Sequence, residues 1–309
     1  MAFDTELTRD GNVLSGPLRE PVNMLVEQEY GGHKSIHDDD MAEKLGFVAG
    51  PIEGPTHFSQ FGPLMHEIWG QDWLERGCIS AHYLNMVVEG EAVRAFAEIP
   101  EDGSTRTRLW AEKADGTPVL EASATLGAGE TLLDERVAKL RPASDLVILA
   151  DLAVGMKGAA DEIVSMAADQ NMGKLYPFSL AEKLDAITEP SPWYSDDNAS
   201  PWGRATIPLE MVSVLAEYSS QKAGWPVKGP AIGLFADLEI RMIKGPLFVG
   251  EEYVIRREIA ALAQSRRTES YWVRTRIFDK IGTEQVAEVL LNHATLKNSY
   301  ADYPVERLA

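Results

Sequence analysis

His37-Asp38-Asp39-Asp40-Met41-Ala42-Glu43-Lys44-Leu45-Gly46 returns 157 residues later as Tyr194-Ser195-Asp196-Asp197-Asn198-Ala199-Ser200-Pro201-Trp202-Gly203, with two Asp, one Ala and one Gly in register. Each copy runs into an Ile-containing turn, Pro51-Ile52 in the first and Thr206-Ile207-Pro208 in the second. An apolar helical stretch follows each turn, and then a series of alternating strands. Four identities in ten residues carry little weight alone. The repeated order of elements is what marks a duplicated fold. The residue that opens each copy differs, His against Tyr, so the two halves are expected to do different jobs.

Working outward from the first copy, the chain begins with an irregular arm of about twenty residues, and Val22 to Glu29 reads as a first strand. Thr56 to Trp73 has Phe58, Phe61, Met65, Ile68 and Trp69 near helical spacing, with a bend expected at Gly62-Pro63. Strands are predicted at Ile79 to Val88, Ala92 to Ile99, Thr107 to Lys113 and Pro118 to Leu126, with Asp115-Gly116 as a hairpin turn. In the second half Ser179 to Ile187 and Leu209 to Lys222 read as helices. Leu234 to Ile243, Tyr253 to Leu262, Arg267 to Asp279 and Gln285 to Leu296 read as strands. Between the halves, Ala159 to Ala168 is expected to form an amphipathic helix. Each half is thus a loop, a helix and an antiparallel meander, an arrangement in which helix and sheet bury one face each. The expected fold class is α+β, two antiparallel sheets each wrapped around a central helix. Its boundaries are 1–130 for the first unit, 131–168 for a connector and 169–309 for the second unit.

Composition sets the class. A chain of 309 residues with 45% hydrophobic and 25% charged residues can bury a substantial core. Cys78 is the lone cysteine, which excludes a disulfide framework and a thiolate metal cluster and points to a reducing compartment. The opening residues lack a basic region followed by an apolar stretch, and no apolar run is long enough to span a bilayer, so a cytoplasmic location is expected. The net charge of −19 argues against nucleic acid and against an anionic membrane as partners. A few clustered cations could still hold an anionic small ligand such as a coenzyme A thioester.

The stretch Gly31 to Ile52 resembles the MaoC-type acyl dehydratases, or hydratase 2 family, of hot dog fold. That family carries Gly-Asp-x-Asn-Pro-(Leu/Ile)-His, a short acidic spacer, Ala, Gly-Phe and Pro-Ile. Gly31, Ile36-His37, Ala42, Gly46-Phe47 and Pro51-Ile52 match it, while its Asp falls on Gly32, its Asn on Lys34 and its Pro on Ser35. In the second half Glu189 falls on the acidic position, Pro192 on the Pro and Tyr194 on the His. The resemblance implies a fused double hot dog with altered catalytic loops. It further implies a hydro-lyase that adds water to, or removes it from, a 2-enoyl thioester, with a His general base and backbone N–H groups at the start of the central helix holding the thioester oxygen.

His37 is the leading catalytic candidate, since an imidazole serves as a base near neutral pH with little tuning. Asp39, with Asp38 and Asp40 beside it, is a carboxylate partner for that ring or an ordinary helix cap. Tyr194 and Glu189 are either an acid and a proton donor at the other end of a tunnel, or the lining of a degenerate second site. Glu53, Gly54, Thr56 and His57, at the start of the central helix, and Trp193 and Trp202, in the second loop, are substrate-binding candidates. Arg241 and Lys244 are candidate anchors for thioester phosphates, with surface charge balance as the other account. No metal ligand set and no resident cofactor is expected, the substrate itself being the carrier of any coenzyme A. The partner expected is an apolar or acyl small molecule, and the outer faces of a fused hot dog allow a homodimer. The other function that the altered loops allow is a non-catalytic or differently catalytic subunit that binds an acyl ligand or completes a partner's active site.

Overall fold

Two helical segments lie against each other at the centre of the molecule: the 3-10 helix Gly54–Phe61 from the first half and the α-helix Leu209–Glu217 from the second. The description rests on a computed structural model and covers residues 2–308. All seven residues from Pro55 to Phe61 are buried, as are the eight from Glu210 to Glu217, because each segment is enclosed by sheet on one side and by its counterpart on the other. Phe58, Phe61, Leu64 and Met65 share one core with Met211, Val212, Val214 and Leu215.

The strands, in chain order, are β1 (Thr8–Asp10), β2 (Val13–Ser15), β3 (Glu29–Tyr30), β4 (His33–Lys34), β5 (Gly77–Tyr83), β6 (Val93–Glu98) and β7 (Arg106–Lys113). They continue with β8 (Pro118–Leu126), β9 (Glu162–Val164), β10 (Gly233–Met242), β11 (Tyr253–Gln264), β12 (Thr268–Phe278) and β13 (Gln285–Leu296). The helices are α1 (Asp39–Lys44), α2 (Gly62–Trp69), α3 (Gln71–Arg76), α4 (Leu132–Ala138), α5 (Leu180–Ala186) and α6 (Leu209–Glu217).

Eleven strands form one sheet in the order β1-β2-β6-β7-β8-β5-β10-β13-β12-β11-β9, while β3 and β4 make a separate hairpin. The two meanders expected as two sheets are therefore joined edge to edge. β5 of the first half pairs antiparallel with β10 of the second, from His82↔Asp237 to Cys78↔Arg241. Joining them removes two open sheet edges at once.

The eight strands predicted for the two meanders are present, β8 and β13 with the predicted ends. The first central helix is broken more often than expected. Pro55 and Pro63 each lack an N–H and Gly70 sits at φ +62°, so the stretch becomes a 3-10 turn, α2 and α3 in succession. Three expectations fail. The N-terminal arm is partly regular, its β1–β2 hairpin extending the sheet beyond β6. Val22 to Glu29 is mostly a turn held by its own backbone bond from Gln28 N–H to Leu25 O. Ala159 to Ala168 contributes no helix; β9 lies in it and adds to the edge of β11, where ladder bonds outweigh a short amphipathic pattern. No helix among the described residues is long and apolar enough to cross a membrane.

Candidate active site

A cavity of about 790 Å³ opens between the two halves. Its walls come from the loop that holds the first motif copy, from the start of the 3-10 segment, from Tyr83 to Val87, and from α6, β12, β13 and the Gln221–Ala236 stretch of the second half. Of the sequence candidates, His37, Glu53, Gly54 and His57 reach this cavity.

The loop around His37 is braced from several directions. Asp38 caps α1 by accepting the Met41 N–H at 3.0 Å, and Asn23 Nδ2 donates to the His37 carbonyl at 3.0 Å. Asp39 does not meet the His37 ring; its Oδ1 accepts the Gly50 N–H at 2.8 Å. Gly50 is required there, since a Cβ would stand 2.2 Å from the His37 carbonyl oxygen. The expected carboxylate partner is replaced by a carbonyl, with His37 Nδ1 2.6 Å from Pro51 O. A carbonyl can only accept, so Nδ1 carries the hydrogen and Nε2 keeps its lone pair. Burial drives the His37 pKa down to about 4 against the opposing pull of the Pro51 bond, so the ring is an uncharged base throughout the neutral range. A loss of base function below about pH 6, the expectation for an ordinary imidazole, therefore moves to lower pH.

Glu53 stands two residues beyond Pro51, at the N-terminal end of the 3-10 segment. It is 7% exposed and its Oε1 has no hydrogen-bond partner. Burial raises its pKa to about 7, with Glu210 and Glu217 adding to the rise and the Lys183 ammonium opposing it. A carboxylic acid that keeps its proton near neutrality is able to donate it. His57, one turn on, is buried with an unpartnered Nδ1, and burial lowers its pKa to about 4. Gly54 lets Tyr83 press onto the start of the segment: an added Cβ would lie 2.5 Å from the Tyr83 ring. Thr56 faces elsewhere, its hydroxyl accepting from Lys183 Nζ at 3.2 Å.

The second motif copy lies away from the cavity. Glu189 is buried in an ion pair with Arg19, Nε to Oε1 at 2.7 Å, and accepts from the Thr5 hydroxyl. Tyr194 is packed edge-on to Phe3. Trp193 and Trp202 lie edge to face with centroids 5.4 Å apart, and Trp202 Nε1 donates to Glu75 at 2.8 Å. The hollow left among Phe3, Trp73, Trp193, Tyr194 and Trp202 measures about 20 Å³, room for about one water molecule. The N-terminal arm has filled the second loop's pocket, so these four residues hold the halves together instead of meeting His37. Arg241 and Lys244 also miss the cavity. Arg241 pairs with Glu239 at 3.1 Å, and the exposed Lys244 pairs with Glu284.

Sequence reasoning missed Tyr176, Glu217, Tyr271 and His293, all of which line the cavity. Glu217 ends α6 and is 3% exposed, with Oε1 unpartnered. Two acidic residues, Glu210 and Glu217, at the ends of a helix whose centre is largely apolar were the available signal.

No protein-family model matches the chain, and none of the curated proteins matches it in sequence. Solved structures do resemble it. A MaoC domain protein dehydratase from Chloroflexus aurantiacus J-10-fl superposes with a TM-score of 0.58 at 14% identity, covering 96% of this chain and 95% of that one. A MaoC-like dehydratase superposes with a TM-score of 0.51 at 12% identity, covering 94% of this chain and 98% of that one. The chain therefore shares the fold of MaoC-like dehydratases, a hot dog fold, here as a tandem of two.

Proposed function

We propose that this protein is a hydro-lyase acting on a bulky or unsaturated acyl thioester, interconverting a 2-enoyl and a 3-hydroxyacyl group. The observation that carries this reading is His37. Its Nδ1–H is fixed on the Pro51 carbonyl, its other nitrogen is left as an uncharged base, and it lines the same cavity as the buried acid Glu53. In the hydration direction, His37 Nε2 takes a proton from water as the water oxygen bonds to C3. The C2–C3 π pair shifts towards C2, and charge builds on the thioester oxygen. Glu53 then delivers its proton to C2. His37 gives up the proton it took and Glu53 regains one, so the net change is addition of one water. The Gly54 N–H, which opens the Gly54–Phe61 segment, is the donor suited to the thioester oxygen, since Pro55 has no N–H and the Thr56 N–H already donates to Glu53 O at 3.1 Å. Glu53 would thus stand in for the Asp whose position Gly32 occupies. Two dehydratases of the same fold support the reading.

The test is turnover of a panel of 2-enoyl and 3-hydroxyacyl thioesters, followed by the absorbance of the conjugated enone. Hydration is expected, and His37→Ala, with an unchanged circular dichroism spectrum, is expected to slow it by roughly 10²- to 10⁴-fold. Release of free thiol without change at C2–C3, or no turnover of any member of the panel, would overturn the proposal.

A further inference from the structure

The cavity wall contributed by the second half is also polar. Glu217 (α6), Tyr271 (β12) and His293 (β13) line it together with Tyr30. His293 Nε2 lies 3.5 Å from Glu217 Oε2, and the His293 ring stacks on Tyr271 with centroids 4.7 Å apart and planes within 10°. Phe235 meets the same imidazole edge-on at 5.4 Å. The ring is thus clamped on two sides. Glu217 lines the cavity and its Oε1 is buried without a hydrogen-bond partner, and leaving such a group unmet is costly.

Arg257 also lines this wall, but its charge is already committed. Arg257 pairs with Glu162, and its second terminal nitrogen donates to Ala216 O at 2.6 Å and Ser219 Oγ at 3.1 Å. Its Nε has no partner, but it belongs to a guanidinium already neutralised by Glu162. Burial raises the Glu217 pKa to about 7 against the pull of Arg257, and burial with Arg257 lowers that of His293 to about 3. The wall therefore offers an uncharged ring and a carboxyl group disposed to stay neutral. Such a surface has little to attract a carboxylate or a phosphate, and a plain methyl group would leave its oxygens and nitrogens unmet.

We propose that this wall is a second subsite, which receives an uncharged hydroxyl or carbonyl group carried at the far end of the acyl chain, with Glu217 and His293 as its hydrogen-bond partners. The proposal rests on the acyl thioester reading for what occupies the His37 end of the cavity. It makes the substrate an oxygenated acyl chain instead of a simple alkyl one.

Calorimetric titration of the wild-type protein with saturated N-acetylcysteamine thioesters of equal chain length tests it without any turnover. The chains would end in methyl, hydroxyl, keto, carboxylate or ammonium. The hydroxyl- or keto-tipped ligand is expected to bind about tenfold or more tightly than the methyl-tipped one. Glu217→Leu is expected to erase that preference while leaving methyl-tipped binding intact, and Glu217→Gln to keep it. Equal binding of all tips, or tightest binding of a charged tip, overturns the subsite and leaves the His37 chemistry standing. Failure of every thioester to bind overturns both.

Discussion

Lys183 offers the most exacting test of how the two halves are joined. It extends from α5 of the second half into the space between the central helices, with its side chain 5% exposed. Its Nζ lies 3.4 Å from Glu210 Oε1 and donates to Thr56 Oγ1 at 3.2 Å. Glu210 is 2% exposed and neither of its oxygens has a hydrogen-bond partner, so the Lys183 charge is its main compensation. Lys183→Met removes one member of a buried pair and strands the other, a change that costs about 3–5 kcal/mol. At about 2 cal/mol/K per residue of unfolding entropy, this corresponds in a 309-residue chain to a fall in melting temperature of about 5–8 °C.

The loss also has a pH signature. Burial already raises the Glu210 pKa, and Lys183 holds it down. Without Lys183 the carboxyl group rises further above its unfolded value. A group raised in the folded state stabilises fully below its unfolded pKa, and that contribution is lost as pH climbs through the folded value. The gap between wild type and variant should therefore widen from pH 5 to pH 8. Lys183→Met combined with Glu210→Gln should recover most of the loss, because no charge is left unpaired. Differential scanning fluorimetry across this range decides the matter. A double variant as unstable as the single one, or a single variant within about 0.5 kcal/mol of wild type, would refute the assignment of a buried, mutually dependent pair.

Further outcomes follow from the cavity groups. On the proposed mechanism the pH–rate profile should be a bell with limbs near 4 and 7: below the first, His37 is protonated and cannot act as the base, and above the second, Glu53 is ionised and cannot act as the acid. Lys183→Met should move the upper limb to higher pH, since the ammonium holds the Glu53 pKa down. Glu217→Gln should abolish a component of stability that the wild type loses as pH rises from 5 to 8, because Glu217 is ordinary when unfolded and raised to about 7 when folded. This is read from melting temperatures in matched buffers. Gly50→Ala should cost about 1–3 kcal/mol and most of the hydration rate together, since the new methyl group would have to displace the His37 carbonyl.

How much of this was readable without coordinates depended on where the information lies. Strand ends in β8 and β13 follow from alternation closed by turn residues, which is local. The pairing of β5 with β10 is not local: nothing in Cys78 to His82 says that its second neighbour comes from 155 residues later. His37 was legible because a motif surrounds it. Its partner is not legible, since the Pro51 carbonyl has no side-chain identity to read; of the adjacent Asp residues, Asp38 takes the capping role the sequence allowed and Asp39 holds the Gly50 N–H. Glu217 and His293 belong to no motif, and only the closure of the sheet brings a helix end and a strand centre to the same wall.

The asymmetry between the copies also has a physical account in the N-terminal arm. Phe3 lies against Tyr194, the Thr5 hydroxyl donates to Glu189, and Arg19 completes a two-bond pair with the same carboxylate. A residue in the acidic position of the second loop thus serves as the anchor for the arm, and its pocket shrinks to the size of one water molecule. The first loop has no such cover, and the space beside it remains open at about 790 Å³. Occupation of one loop by the chain's own arm and exposure of the other to a shared cavity are complementary uses of the same duplicated geometry. Changing Arg19 or Glu189 should therefore loosen the arm and lower stability while leaving the His37 wall in place. Changes at His37, Glu53 or Glu217 should act on ligand and turnover first.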